Sequence, residues 1–307
     1  AAAMSARAAF AVDTSDATIK TRMLGGSADF AWQSLPQGRF KRTLSGLPPQ
    51  ARSHAEAWLQ RFSFPPEDLA SLRVDPQGGI FYADEAPQID PAAMAEAQDP
   101  EIAEGSVGVT PFPTHLHFHS NPGSANILYL DFDGESVSGT AWNNSTGRDP
   151  IPALPYSTDG DYATFSDTEQ AEIKRIWQRV AEDYAPFDID VTTERPASFD
   201  RRTAHALITR NTDANGDGNP APNAGGVAYI DVFNLHSYDY YRPAWIYVNN
   251  LGSRAAYAAE AASHEIGHNM GLSHDGRTDG VNYYSGHGSG ETSWAPIMGS
   301  AYTRNVS

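Results

Sequence analysis

The stretch HEIGHNMGLSHD, residues 264–275, decides what we expect of the fold and chemistry of this chain. His264 and His268 stand four positions apart, so on a helix both imidazoles project from one face and reach one metal ion. Glu265 lies about 100° around the helix from the first histidine. Its carboxylate is therefore expected outside the ligand set but near a metal-bound water.

A turn after this helix supplies a third ligand. Gly271 favours the helix end, because glycine adopts positive φ without strain, and the turn brings His274 back towards the other two histidines. Three neutral imidazoles leave one position of a tetrahedral zinc ion open, which is typical of a catalytic rather than a structural site. Chance agreement at these positions is on the order of one in a million per chain, so we prefer this interpretation to ordinary core or surface histidines.

The segments around this motif predict an α+β fold with a mixed five-stranded sheet and two long helices. Ser166 and Glu169 form a capping box that opens an amphipathic helix ending before Pro186. An alanine-rich helix then runs from near Ser253 to Gly271. Apolar runs and alternating patterns predict strands at residues 127–130, 187–192, 204–209, 226–232 and 245–248.

The full histidine spacing, Asp275 after it, and the later segment WAPIMG at residues 294–299 resemble the metzincin zinc metalloproteases. The aspartate resembles the adamalysin/reprolysin branch. The segments ILYLDFDG (residues 127–134), SGTAWN (138–143) and GHGSGETSWAPIMG (286–299) look like a bacterial secreted group of these enzymes. The resemblance covers residues 123–307. It implies a metzincin-like catalytic domain, with the zinc site on the second long helix, acting on proteins or peptides.

Residue roles follow from the same resemblance. One Zn²⁺ would be held by the three histidines of the motif: His264, His268 and His274. Glu265 would act as general base and then as general acid. Met298 would support the site from below, and Asp275 would anchor the turn by hydrogen bonds. Tyr302 is either a catalytic aid or a packing tyrosine, since it stands four residues after the methionine rather than two.

The resemblance also implies how the chain is organised. Residues 1–104 are expected to form a small α+β pro-domain that inhibits the enzyme within the same chain. Within it, the sequence predicts a short strand at Gly79–Tyr82 and the start of a helix at Asp90-Pro91. Residues 105–122, rich in Gly, Pro and Ser, are expected to be a linker with the activation cleavage site. Residues 123–307 would be the catalytic domain, with its C-terminal end truncated. Asp29 is one conceivable residue for blocking the zinc, although no motif supports it.

Two weaker patterns remain open. Asp213, Asn215 and Asp217 have the spacing that opens a calcium loop, but Ala224 stands where its last acidic ligand belongs. A Ca²⁺ site and a plain Asx turn are equally consistent with this pattern. In this family the substrate lies along an edge strand, and the best candidate contains Gly226, Val227, Ala228 and Tyr229. An ordinary strand explains that segment equally well.

Composition excludes several other classes of protein. The 307 residues carry 21 basic and 38 acidic side chains, a net charge of −17, which argues against nucleic-acid partners. No apolar run is long enough for a membrane span. The chain contains no cysteine, which removes disulfides, thiolate metal sites and cysteine nucleophiles.

These observations favour a secreted zinc-dependent endopeptidase in zymogen form, in which Glu265 activates a zinc-bound water. Two alternatives remain at this point. One is an inactive zinc-binding module that has kept the protease fold. The other is a zinc hydrolase that acts on a non-peptide amide or ester, because the peptide bond as target rests mainly on resemblance.

Overall fold

A computed structural model of the chain describes residues 23–87, 111–277, 279–289 and 292–302. Its six α-helices in these ranges are α1 (Arg39–Gly46), α2 (Pro49–Leu59), α3 (Ala141–Thr146), α4 (Asp167–Asp183), α5 (Tyr238–Tyr241) and α6 (Ala255–Asn269). Its eleven strands there are β1 (Leu24–Gly25), β2 (Ser63–Phe64), β3 (Leu72–Val74), β4 (Ile80–Glu85), β5 (Ile127–Asp131), β6 (Glu135–Val137), β7 (Ile151–Ala153), β8 (Asp190–Thr192), β9 (Thr203–Thr209), β10 (Ala224–Tyr229) and β11 (Ala244–Tyr247). The segment predicted to begin a helix at Asp90-Pro91 lies outside the described residues.

The central layer is a seven-stranded mixed sheet in the order β3-β4-β10-β11-β9-β5-β8. Strands β11, β9, β5 and β8 run parallel to one another. Strands β3, β4, β10 and β11 pair antiparallel. The fold is therefore α+β with a mixed sheet, as predicted.

Five of these strands and the two long helices correspond to the predicted elements. Helix α4 begins at the predicted capping box, in which the Ser166 N–H donates to Glu169 at 2.8 Å. Helices α4 and α6 pack against each other and bury apolar side chains of the parallel strands between them and the sheet. The strand predicted from residue 187 begins later, at Asp190, and Phe187 is 63% exposed. The reason is that Phe187 still belongs to the turn after α4, where its N–H donates to the Tyr184 carbonyl.

The sheet contains two strands that the five-strand prediction lacks, and both come from the N-terminal part of the chain. Strand β4 pairs antiparallel with β10, with Gly226 opposite Asp84 and Val227 opposite Ala83. Strand β10 was expected at the sheet edge. It is instead flanked by β4 and β11, so the edge prediction is wrong for this form of the chain. Without β3 and β4, β10 would be the outer strand on this side.

Residues 23–87 also share a hydrophobic core with the rest of the chain. Trp58 of α2 packs on Tyr229 and Tyr241, and its indole N–H donates to the Ile230 carbonyl at 3.0 Å. The predicted boundary near residue 104 lies outside the described residues and stays a prediction.

Part of the predicted linker is packed onto residues 123–302, which belong to the predicted catalytic domain and are called the catalytic part below. Leu116 is buried, and the His119 imidazole contacts the carboxylates of Asp190 and Glu194 at 2.7 and 3.0 Å. The Ser120 N–H donates to the Val191 carbonyl. Residues 111–122 are therefore anchored beside β8 through Leu116 and His119, although most of these residues are exposed or only partly buried.

Candidate metal centre

The three motif histidines converge at the end of α6. His264 and His268 lie on one face of the helix, and Gly271 has a φ of 91°, which allows the chain to turn and return with His274. All three imidazoles are buried. Their ring centroids lie 4.8–5.3 Å apart.

Hydrogen bonds at Nδ1 orient each of these rings. The Nδ1 atoms of His264 and His268 donate to the carbonyl oxygens of Ile297 and Leu272, both at 2.7 Å. The Nδ1 of His274 lies 3.1 Å from Oδ1 of Asp68. Because a carbonyl oxygen can only accept, the rings of His264 and His268 hold a hydrogen on Nδ1, and all three rings turn Nε2 towards a common point.

A carboxylate from the N-terminal part occupies that point. Asp84 of β4 places Oδ2 at 2.9 Å from Nε2 of His268 and 3.3 Å from Nε2 of His264. Its Oδ1 lies 3.1 Å from Nε2 of His274. The aspartate suggested by the sequence, Asp29, is exposed instead. Nothing in the local sequence singles out Asp84, because its place depends on the pairing of β4 with β10.

The electrostatics of this cluster follow from burial and close charges. Burial opposes ionisation of Asp84, but His274 and His268 outweigh it and hold the pKa of Asp84 well below its usual range. Burial also disfavours charge on His274, yet Asp84 and Asp68 raise its pKa to about 10. For His268 burial prevails and lowers the pKa to about 4. Asp84 and His274 therefore form the ion pair at the centre of the cluster.

Glu265 lies beside the histidines, between α6 and β10. It is buried, and burial together with the negative charge of Asp84 raises its pKa well above the ordinary value. Gly226 makes room for this side chain, since a Cβ added there would lie 2.2 Å from Glu265 Oε1. Glu265 Oε2 is buried with no hydrogen-bond partner among the described residues. The carboxyl group is thus placed next to the site with one oxygen left for a further partner.

The segment 294–299 closes the floor of the site. Met298 is buried, and a Cβ added at Gly267 would meet its sulfur at 2.4 Å, so the helix glycine allows this close packing. Asp275 is exposed, and its N–H donates to the Met298 carbonyl at 2.8 Å. Asp275 therefore holds the turn by hydrogen bonds of its backbone N–H and carbonyl groups.

Three residues near the site were not found from the sequence: Asp68, Asp84 and Tyr283. The Tyr82 hydroxyl donates to Asp68, and the Tyr82 ring stacks on His268 with centroids 3.9 Å apart. The Tyr283 hydroxyl donates to Asp84 Oδ1 at 2.9 Å. These contacts join residues about 180 to 210 positions apart, which local patterns do not reveal.

Two other candidates lie in different surroundings. The Tyr302 ring packs edge-on against Tyr257 at 5.2 Å within the core, which favours the packing role.

In the candidate calcium loop, Asp213 Oδ1 accepts the N–H groups of Asn215 and Asp217, and Arg148 donates to Asp213 Oδ2. A guanidinium thus supplies the positive charge there, which favours the Asx turn over Ca²⁺.

The donor set fits zinc. The ligand atoms of Asp84 and the three histidines all lie within 4.8 Å of one another. Nε2 of His264 and of His274 are buried and have no hydrogen bond of normal geometry among the described residues. The Asp84 contacts of 2.9–3.3 Å are close to the edge, about 3.3 Å, of a tetrahedron with 2.0–2.1 Å bonds. Metal binding would release the second proton of His274.

Comparison with known proteins finds a family model that matches part of this chain. The model of the family described as Metallo-peptidase family M12B Reprolysin-like matches residues 170–275. No curated protein and no solved structure matches the chain. The matched segment runs from α4 to the end of the histidine motif and includes β8 to β11. With the mixed sheet and the histidine cluster, this match over about a third of the chain supports a likeness to the reprolysin-like metzincin metallopeptidases.

Proposed function

We propose that the chain is a zinc-dependent endopeptidase in zymogen form, with Asp84 as the group that keeps it latent. One observation carries the proposal: the Asp84 carboxylate, supplied by the N-terminal part, lies among the Nε2 atoms of all three histidines. In that place it is a fourth ligand for a bound metal ion. A site with four protein ligands has no open position for a water or a substrate.

The path of β4 supports a peptide as the substrate. Strand β4 lies along β10 as an extended chain, and the residues that pair with β10 include neighbours on both sides of Asp84. Pairing of main chain with main chain is how an extended peptide adds to a sheet edge. A binding surface that accepts an extended peptide on both sides of the histidine cluster suits cleavage within a polypeptide. This favours an endopeptidase over a hydrolase of small amides or esters.

The reaction uses groups already in place once β4 has left. His264, His268 and His274 would hold the zinc ion, which would supply a Lewis acid for the scissile carbonyl and would lower the pKa of a bound water. Glu265 takes the proton of the attacking water and passes it to the leaving amine. The carbonyl groups of Ile297 and Leu272 keep two of the rings oriented throughout. Strand β10 holds the peptide main chain.

Location is also a proposal. We place the enzyme outside the cell, supported only by its likeness to secreted metzincins. Among the described residues, no helix combines the length and apolar character needed to cross a bilayer.

The test follows the intact mass of the full chain over time with Zn²⁺ present, for wild type and Glu265→Gln. We expect the wild type to be cut in residues 105–122 and the variant, loaded with one zinc per chain, to stay whole. Equal cleavage of both would mean that a contaminating protease acts. If both stay whole with zinc bound, and neither cleaves an added peptide after residues 23–87 are removed, the inactive-module alternative is correct.

A further inference from the structure

The hydroxyl of Tyr283 lies at the metal centre, and its hydrogen-bond partners within the described part of the chain belong to the N-terminal part. It donates to Asp84 Oδ1 at 2.9 Å and lies 2.8 Å from the Ser71 hydroxyl. Its ring packs on His274, with centroids 4.4 Å apart. When the N-terminal part departs, both hydrogen-bond partners leave with it, and the hydroxyl faces the opened site.

The backbone of the Tyr283 loop is anchored to the catalytic part instead. The next residue, Tyr284, donates its N–H to the Asp275 carbonyl at 2.7 Å. Its carbonyl accepts the N–H of Ser300, which directly follows the turn at Met298, at 3.0 Å. The loop is therefore tied to the histidine motif and to the floor of the site. Loss of residues 23–87 does not remove these anchors.

The Asp84 carboxylate shows where a reacting group would sit. Its two oxygens, on one carbon, lie among the histidine Nε2 atoms. They stand in for two oxygens of the tetrahedral species formed when water adds to a peptide carbonyl. Oδ2 contacts His264 and His268, whereas Oδ1 lies 3.1 Å from His274 Nε2 and accepts the Tyr283 hydrogen bond.

We propose that Tyr283 is a catalytic residue that donates a hydrogen bond to the carbonyl oxygen of the scissile peptide as that oxygen becomes negative. The inference rests on the proposed peptidase function and adds a residue to its site. No proton is transferred, since the hydroxyl keeps its hydrogen and only shares it with the oxyanion. Such a donor acts chiefly in the transition state, so it raises kcat more than it lowers KM. Tyr302, the candidate from the sequence, packs in the core and is not needed for this role.

The experiment compares wild type with Tyr283→Phe, both produced as full chains and then processed until residues 23–87 are removed. We expect kcat for a peptide substrate to fall about 100-fold, the usual effect of losing one oxyanion donor. KM should stay within about twofold, because the ground state binds the donor weakly. The affinity for a phosphinic peptide, which mimics the tetrahedral species, should fall in parallel. Calorimetric titration measures that affinity without turnover.

Two matched variants isolate the hydroxyl at this position. Tyr284→Phe makes the same chemical change one residue along, where the hydroxyl pairs with His287 Nδ1, and should leave kcat unchanged. Ser71→Ala removes the other partner of Tyr283, but in a segment absent from the processed enzyme, and should likewise leave kcat unchanged. Both variants should bind the phosphinic peptide as wild type does.

The outcomes distinguish the role of Tyr283 from the proposed peptidase function. A Tyr283→Phe enzyme with wild-type kcat and wild-type phosphinic affinity would overturn the role of Tyr283 alone. Loss of zinc or a lower melting temperature along with the lost activity would assign the hydroxyl a structural role and also overturn it. A processed wild type that cleaves no peptide would overturn the proposed function itself.

Discussion

At the scale of single residues, the metal centre combines a local motif with a distant side chain. The three histidines and Glu265 follow from helix spacing and one turn, because all lie within eleven positions of each other. Asp84 reaches the same point from 180 positions earlier in the sequence. Its carboxylate is bound by the imidazoles and by Tyr283, so its ionised form is stabilised although it is buried.

Replacement of Asp84 should therefore weaken latency. In Asp84→Asn the shape of the side chain stays, but the negative charge that would bind the zinc ion among the histidines is lost. We expect the zinc-loaded full chain to process itself about tenfold faster, which corresponds to about 1.4 kcal/mol of lost stabilisation of the closed form. Intact mass against time measures the rate.

Asp29→Asn is the matched control, because Asp29 is an exposed aspartate of the same N-terminal part. It should process at the wild-type rate. The assignment of latency to Asp84 would be wrong if the two variants behaved alike.

At the scale of elements, most of the catalytic part was predictable. Strands β5, β9 and β11 are short apolar runs, and helix α4 carries both a capping box and an apolar stripe, so local sequence determines them. The partner of β10 was not predictable. A strand near Gly79–Tyr82 was expected, but nothing in its own residues states which strand it pairs with, since pairing depends on contacts far apart in sequence.

The end of β5 carries a pair of carboxyl groups that should make stability depend on pH. Burial and the nearby acidic charges raise the pKa of Asp131 and of Asp133 to about 7. Because the folded chain holds these protons more tightly than the unfolded chain, its stability falls as pH rises from about 4 through 7. Asp133→Asn removes one of the two groups. At pH 8 it should be more stable than wild type, by about 1–2 kcal/mol, and at pH 4 it should not.

Urea unfolding of the metal-free full chain at pH 4, 6 and 8 measures this difference. Asp279→Asn is a suitable control, because Asp279 is about half exposed and pairs with the exposed Arg277. Exposed pairs contribute little, so this variant should follow the wild type at each pH. A constant difference between Asp133→Asn and wild type at all three pH values would contradict the linkage.

At the scale of the whole molecule, the N-terminal part is joined to the rest by more than the chain. Strands β3 and β4 continue the central sheet, and Trp58 lies in one aromatic cluster with Tyr229 and Tyr241. Backbone hydrogen bonds and a shared apolar core are the interactions that hold a single domain together. Cutting the connecting chain leaves all of them in place.

A single cut should consequently leave the enzyme assembled and latent. With a specific protease site inserted within residues 105–110, we expect the two pieces to elute together in size-exclusion chromatography and to separate in urea. Full peptidase activity on an added peptide should appear only after residues 23–87 are degraded, because until then β4 covers β10 and Asp84 stays among the histidines in all but a small fraction of the molecules that suffices for slow self-processing. The nicked Asp84→Asn chain should also elute as one species, since one side chain contributes little beside the shared core.

Pieces that separate at once in native buffer would show that the core interactions are too weak to hold them. Co-elution would mean that cleavage of the linker and release of the active site are separate events, and that the second one controls activity.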